Sequence, residues 1–270
     1  MKSSTIKSEN LQLSVDYIGQ AAKKKVELVC FPEFQMAYSP PEQTAKELST
    51  IAENANNGNF ISRLRKEAKR HRIKVIATIY ESMDTKKKKT DYRVSDTAIM
   101  ISDRGDVMSI YRKLHLFDAL GFKESTKLVG GNKIEKPIKV GIGKIGLMVC
   151  YDIRFPEMSR ILTLNGANVL AIPSAWVQGI MKEEHWQIML KARAIENGCY
   201  VIAPDQVGNI FSGRSMVIDP FGITLLDMGN KEGVEVVEID RDRIESIRKT
   251  LPLLKNRRTD VYADHTSSFT

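Results

Sequence analysis

The stretch KIGLMVCYDIRFPE, Lys144–Glu157, decides how this chain is read. An apolar run, Ile145–Val149, leads into Cys150, and a polar cluster follows it at once. A short apolar run of this kind reads as a strand buried on both faces. Pro156 suits the first residue of a helix, where its missing N–H costs nothing. Asn165-Gly166 is a good helix stop nine residues further on. Cys150 therefore stands at a strand tip, where a helix is about to begin. Alone, it is either a small core residue or a nucleophile presented by the strand.

Working outward, the same alternation of strands and helices covers the chain. Lys7–Lys25 has helical periodicity in Leu11, Val15, Ile18 and Ala22. VELVCF (Val26–Phe31) reads as a buried strand, Ala45–Ala55 and Asn59–His71 as helices, and KVIATIYE (Lys74–Glu81) as a strand. Two strand pairs follow, turning at Asp103–Gly105 and near Gly143–Lys144. After the Pro156 helix come the strand NVLAIPS, the amphipathic helix EEHWQIMLKARAIENG, the strand CYVIAP and a hairpin turning at Asp219–Gly222. GVEVVEID reads as a strand before a last helix, and residues 253–270 as an extended polar tail. Strands alternating with helices, some strands joined by tight turns, imply layered α/β with a mixed sheet or two sheets. No linker divides the chain, so residues 1–270 are expected to form a single domain.

Composition narrows the function classes. The 270 residues are 42% hydrophobic and 27% charged, ordinary for a globular protein. The formal net charge of +8 raises nucleic-acid binding as a possibility, but the positive residues are dispersed. Their densest run, Lys86–Lys89, is expected at a solvated hairpin tip. GIGKIG (Gly141–Gly146) lacks the phosphate-loop spacing and precedes a strand rather than a helix. Cys30, Cys150 and Cys199 are widely spaced, which suits a reducing compartment and offers no metal-site pattern. No leader-like segment opens the chain, and no apolar run approaches the roughly 18 residues of a membrane span. The expectation is a cytoplasmic protein with neither metal nor cofactor, no nucleic-acid partner and no membrane partner.

Three strand ends carry reactive residues: Glu33 after LVCFP, Lys113 after SIYR, and Cys150 after LMV. Functional groups in α/β folds gather where strands give way to loops. A thiol needs a base, a carboxylate in an apolar surround can supply one, and a lysine favours thiolate and oxyanion alike. The backbone N–H of Tyr151, just after the cysteine, is expected to supply the second oxyanion donor. Each residue also has a plain reading, as core cysteine, loop carboxylate and surface lysine, and periodicity does not bring the three together.

FPE at 31–33, YRKLHLF at 111–117 and CYDIRFPE at 150–157, in this order and spacing (113 − 33 = 80; 150 − 113 = 37), resemble the carbon–nitrogen hydrolase (nitrilase) superfamily. The resemblance continues through GANVLAIPSAW, HWQIMLKARAIENGCYVIAP, SMVIDPFG and LPLLKNRRTDVY. It implies a four-layer α-β-β-α sandwich that dimerises to an αββααββα assembly, as a homodimer or a higher homo-oligomer. It also implies Glu33 as general base, Lys113 as transition-state stabiliser, Cys150 as nucleophile and Glu124 as a further positioning glutamate. The implied reaction passes through a thioester, releases ammonia or an amine, and uses no cofactor or metal.

Tyr151-Asp152 after the cysteine, where nitrilases proper carry Trp-Glu, resembles the branch of ω-amidases and deaminated-glutathione amidases. The expected substrate is a small carboxylate-bearing amide, with nitrile hydrolysis or a weakly active truncated member as alternatives. Arg154 is a candidate carboxylate anchor or, equally, one half of a structural ion pair. Trp176 and His185 are expected to shape the pocket. The strand with which the family opens has no counterpart before Lys7, which implies an uncovered strand edge and exposed apolar surface.

Overall fold

The computed structural model describes residues 1–83 and 90–266; the expected lysine-rich hairpin tip at Lys86–Lys89 lies outside the described residues. The first half of the chain gives helices α1 (Lys7–Lys23), α2 (Ala45–Ser49) and α3 (Asn59–His71), with strands β1 (Leu28–Cys30), β2 (Lys74–Glu81), β3 (Ser95–Ile101) and β4 (Val107–Arg112). The second half gives β5 (Ile138–Val140), β6 (Gly143–Leu147), β7 (Val169–Ala171), β8 (Tyr200–Ala203), β9 (Val207–Gly208), β10 (Phe211–Ser212), β11 (Met216–Ile218) and β12 (Thr224–Asp227). Its helices are α4 (Pro156–Leu164), α5 (Lys182–Asn197), α6 (Arg241–Thr250) and α7 (Thr259–Thr266).

One sheet has the order β1-β2-β3-β4, with β1 parallel to β2 and the rest antiparallel. The strand period of two sorts its side chains between two cores. Val75, Ala77, Ile79, Ile99 and Ile101 pack with Ile18 of α1 and with Phe60, Ile61 and Leu64 of α3. Ile76, Ala98, Met100 and Tyr111 instead pack with Ile145, Leu147, Val169 and Val201 of the second sheet. That sheet has the order β12-β11-β8-β7-β6-β5, and β6, β7 and β8 run parallel because α4 and α5 carry the chain back across its outer face. The result is an α-β-β-α sandwich. Trp186, Leu190 and Ala194 of α5 are fully buried, and a large apolar side chain contributes about 1.5–3 kcal/mol when so placed.

Four elements differ from expectation. The helix expected over Ala45–Ala55 stops at Ser49. Gly233–Ile239, expected to contain a strand, holds no paired strand among the described residues. The turn expected near Gly143–Lys144 falls two residues earlier, at Gly141–Ile142, since Gly143 pairs with Val140 and opens β6. The polar tail, expected to be extended, forms α7 at Thr259–Thr266. No strand precedes α1 among the described residues. Met1–Ser4 runs along the β9 side instead, Val207 N donating to Met1 O at 2.9 Å and Tyr38 N to Ser4 O at 2.9 Å. The outer edge of β1 borders a cavity of about 470 Å³ whose opposite wall is Val234–Ile239.

Candidate active site

Glu33 is presented by a turn held from three directions. The chain leaves β1, Phe31 N still donates to Ile76 O at 2.9 Å, and Phe34 adopts a left-handed φ of 56°. Thr78 Oγ1 donates to Pro32 O at 2.8 Å, Gln35 N donates to Thr78 Oγ1 at 3.1 Å, and Gln206 Nε2 donates to Glu33 O at 2.8 Å. Lys113 follows β4, its N–H donating to Asp96 O and its carbonyl accepting from Gly131 N. Gly131 is needed there, because a Cβ would meet Arg112 O at 2.4 Å. Beyond β6, Met148 N still donates to Ala171 O and Cys150 N to Pro173 O. Cys150 then turns into the left-handed region at φ 43°, and a single 3-10 turn runs from Cys150 to Arg154. A non-glycine residue held there is strained, which is usual where a fold presents a reactive group.

The three strand ends converge. Lys113 Nζ lies 2.8 Å from Glu33 Oε1 and 2.9 Å from Glu124 Oε2. Glu33 Oε2 accepts from Ala175 N at 2.9 Å, and Glu124 Oε2 accepts from Phe117 N at 2.7 Å. The carboxyl of Asp96, 1% exposed, completes a group of three carboxyls around one ammonium. Burial works against the charge on Lys113, but Glu124 and Glu33 overcome it and hold the ammonium well above its ordinary range. Burial raises Asp96 well above the carboxylate range, with Glu33 adding to it, and raises Glu124 against the pull of Lys113. The Cys150 thiol is also pushed well up, first by burial and then by Glu33, with Lys113 pulling the other way. The lysine does not by itself create a thiolate; at rest the thiol holds its proton.

Asp152 braces the nucleophile loop. Fully buried, it accepts from Tyr111 Oη at 2.6 Å, Val149 N at 2.8 Å and His115 N at 3.1 Å, and its Oδ1 lies 2.7 Å from His115 Nδ1. The His115 ring stacks on Phe155 with centroids 3.6 Å apart. The YRKLHLF and CYDIRF motifs are thus bonded to each other. Opposite them, Asp205 accepts from Trp176 N at 2.7 Å and Gln206 N at 2.9 Å, fixing the loop that carries Ala175.

A cavity of about 350 Å³, a usual volume for a small-molecule site, opens over this cluster. Its walls include Cys150, Glu124, Tyr151, Trp176, Tyr80 and Lys182. Of the residues expected at the site, Glu33, Lys113, Cys150 and Glu124 form one cluster, and Tyr151 and Trp176 line the cavity. His185 does not: it is exposed on α5, one residue before buried Trp186 and so about 100° round the helix from the inward stripe. Arg154 forms no ion pair among the described residues; its guanidinium sits over Trp176 at 4.9 Å, and its Nη2 is buried without a hydrogen-bond partner. Sequence reasoning missed Lys182, Tyr80, Asp96 and Asp152. For Asp152 the signal was its place two residues after the cysteine; for the others only the fold supplies one. Among the described residues no group of three or more His, Cys, Asp or Glu is disposed to hold a metal ion, and no helix is long and apolar enough to cross a membrane.

A sandwich whose adjoining strand ends carry a thiol, a carboxylate and an ammonium around one cavity belongs to the class of cysteine-dependent hydrolases of α/β fold. The particular family follows from comparison with known proteins. The chain belongs to the carbon-nitrogen hydrolase family, whose model matches residues 1–249. It is 35% identical over 250 residues to a deaminated glutathione amidase of Escherichia coli O157:H7, covering 93% of this chain and 92% of that one. Among solved structures it resembles the NitFhit protein of C. elegans, with TM-score 0.87 and 30% identity over 97% of this chain and 64% of that one. It also resembles Saccharomyces cerevisiae Nit3, with TM-score 0.82 and 30% identity over 95% and 93%.

Proposed function

We propose that this enzyme is an amidase that cleaves the amide of a small carboxylate-bearing substrate, of the kind handled by the deaminated glutathione amidases it resembles. The observation that carries this reading is the convergence of Glu33, Lys113 and Glu124 beside Cys150 under one cavity. Glu33 takes the Cys150 proton as Sγ attacks the amide carbon, which offsets the burial that keeps the thiol neutral. Lys113 and the Tyr151 N–H hold the oxygen as it becomes anionic. Glu33 returns the proton to the leaving nitrogen, and the C–N bond breaks to give a thioester and a free amine or ammonia. Water then attacks the thioester, Glu33 taking its proton and returning it to sulfur as the acid leaves. Glu124 orients Lys113 through its 2.9 Å contact.

We read the chain as one domain acting in the cytoplasm as a homodimer. Exposed Ile161 and Leu164 on α4, with Ile188 and Ile195 on α5, suit the paired face, and sedimentation velocity tests it, a species of the monomer mass counting against it. The enzymatic test is amine or ammonia release from a panel of amides and nitriles by the wild type and Cys150→Ala. Amide turnover that vanishes in the variant is expected. Full activity in Cys150→Ala overturns the reading, and turnover of nitriles ahead of amides replaces amidase by nitrilase.

A further inference from the structure

The cavity wall holds a cation with nothing to balance it. Lys182 is 6% exposed, and buried lysines are rare unless paired. Its Nζ lies 4.4 Å from the Trp176 ring and 4.7 Å from the Phe117 ring. Among the described residues no carboxylate lies within ion-pair distance of it. Ring faces favour an ammonium by about 0.5–2 kcal/mol, well short of the several kcal/mol that desolvation of a charge costs.

A second cation makes the imbalance worse. Arg154 sits over the same Trp176 ring at 4.9 Å, with its Nη2 buried and without a hydrogen-bond partner. Burial depresses the Lys182 ammonium below its ordinary range, and Arg154 adds to the effect. The carboxylate that acts on it, Asp205, is bonded instead to Trp176 N, Gln206 N and Ser212 Oγ. The position of Lys182 is set by the fold: Trp176 Nε1 donates to Lys182 O at 2.6 Å, locking the start of α5 to the cavity wall. Lys127, another lysine of the wall, differs in being already bonded to Pro40 O at 2.7 Å and Ser39 Oγ at 3.0 Å.

We propose that Lys182, seated on Trp176 in the cavity wall, is the subsite for the substrate's free carboxylate and sets the enzyme's preference for anionic over neutral amides. A carboxylate bound in the cavity there supplies the missing counter-charge and accepts from Lys182 Nζ. The assignment rests on the amidase reading only for the identity of the molecule that bears the carboxylate.

The test compares succinamate with butyramide, an uncharged amide of the same chain length, and adds calorimetric binding of succinate to the intact enzyme. Lys182→Met is expected to raise KM for succinamate at least tenfold more than for butyramide, and to weaken succinate binding at least tenfold. Lys182→Arg is expected to recover part of both. Equal losses on the two amides, or succinate binding unchanged in Lys182→Met, overturns the assignment and leaves Lys182 a structural residue. If the wild type cleaves neither amide, the amidase reading fails for this substrate class, and the succinate titrations still decide whether Lys182 holds a carboxylate.

Discussion

Tyr111 and Asp152 meet at 2.6 Å in the buried space between the two sheets, so the strand that delivers Lys113 is bonded to the turn that delivers Cys150. Asp152 accepts four contacts there and has no exposed surface. Asp152→Asn puts a donor where only acceptors fit and is expected to destabilise the protein by about 3 kcal/mol, against about 1–2 kcal/mol for Tyr111→Phe. Urea unfolding at pH 7 measures both. An Asp152→Asn protein as stable as the wild type removes the brace from the account.

Lys113 is the only cation bonded to Glu33 and Glu124 among the described residues. Lys113→Met leaves those carboxyls and Asp96 facing one another, and loss of one partner from a buried pair costs about 3–5 kcal/mol. Glu124→Gln added to Lys113→Met removes one of the stranded acids. The double variant is therefore expected to be at least about 1 kcal/mol more stable than the sum of the two single losses. Strict additivity in urea denaturation shows that the contact carries no coupling energy.

The buried Cys150 thiol is raised, so its thiolate grows with pH through the neutral range and beyond instead of levelling off early. Cys150 lines the cavity beside Lys113, Cys199 has no exposed surface, and Cys30, which lines the other cavity along β1, has a thiol that burial pushes up with no cation acting against it. Iodoacetamide, followed by peptide mass spectrometry, is expected to label Cys150 ahead of the other two at every pH, with a rate still climbing at pH 9. A rate that levels off below pH 7 marks a preformed thiolate and contradicts the neutral resting thiol.

What the sequence disclosed and what it hid follow from the range of the forces involved. The apolar runs in KVIATIYE and before Cys150 are local patterns, and both became strands. The meeting of Glu33, Lys113 and Cys150 is not local; ordered motifs indicated it, and the sheet pairings produce it. Val234–Ile239 has a strand's apolar residues but pairs with no strand among the described residues, and unpaired backbone makes no strand. Lys182 stands at the start of α5 beside Glu183 and Glu184, and no local pattern marks it as buried. It is buried only because the loop holding Trp176 folds over it. His185 reads as a pocket residue from its motif, yet helical rotation turns it outward.

Cys199 offers a test of the second core through pH. It is fully buried behind β8 and α5, and burial pushes its thiol from an ordinary value near 9 up to about 12. Above pH 9 the unfolded chain releases this proton while the folded chain keeps it. The unfolded state then binds fewer protons, so stability is present below pH 9 and falls as pH rises from 9 to 12. The slope for one such group is about 1.4 kcal/mol per pH unit. Cys199→Ala costs about 1 kcal/mol at pH 7 through lost packing, and it lacks this alkaline penalty. Its deficit relative to the wild type is therefore expected to shrink or reverse between pH 8 and pH 10. The other raised groups, Cys30, Cys150 and Tyr111, titrate in both proteins and cancel in the comparison. Urea midpoints for the two proteins at the two pH values measure it, and a deficit that stays constant shows that the Cys199 thiol titrates alike in both states.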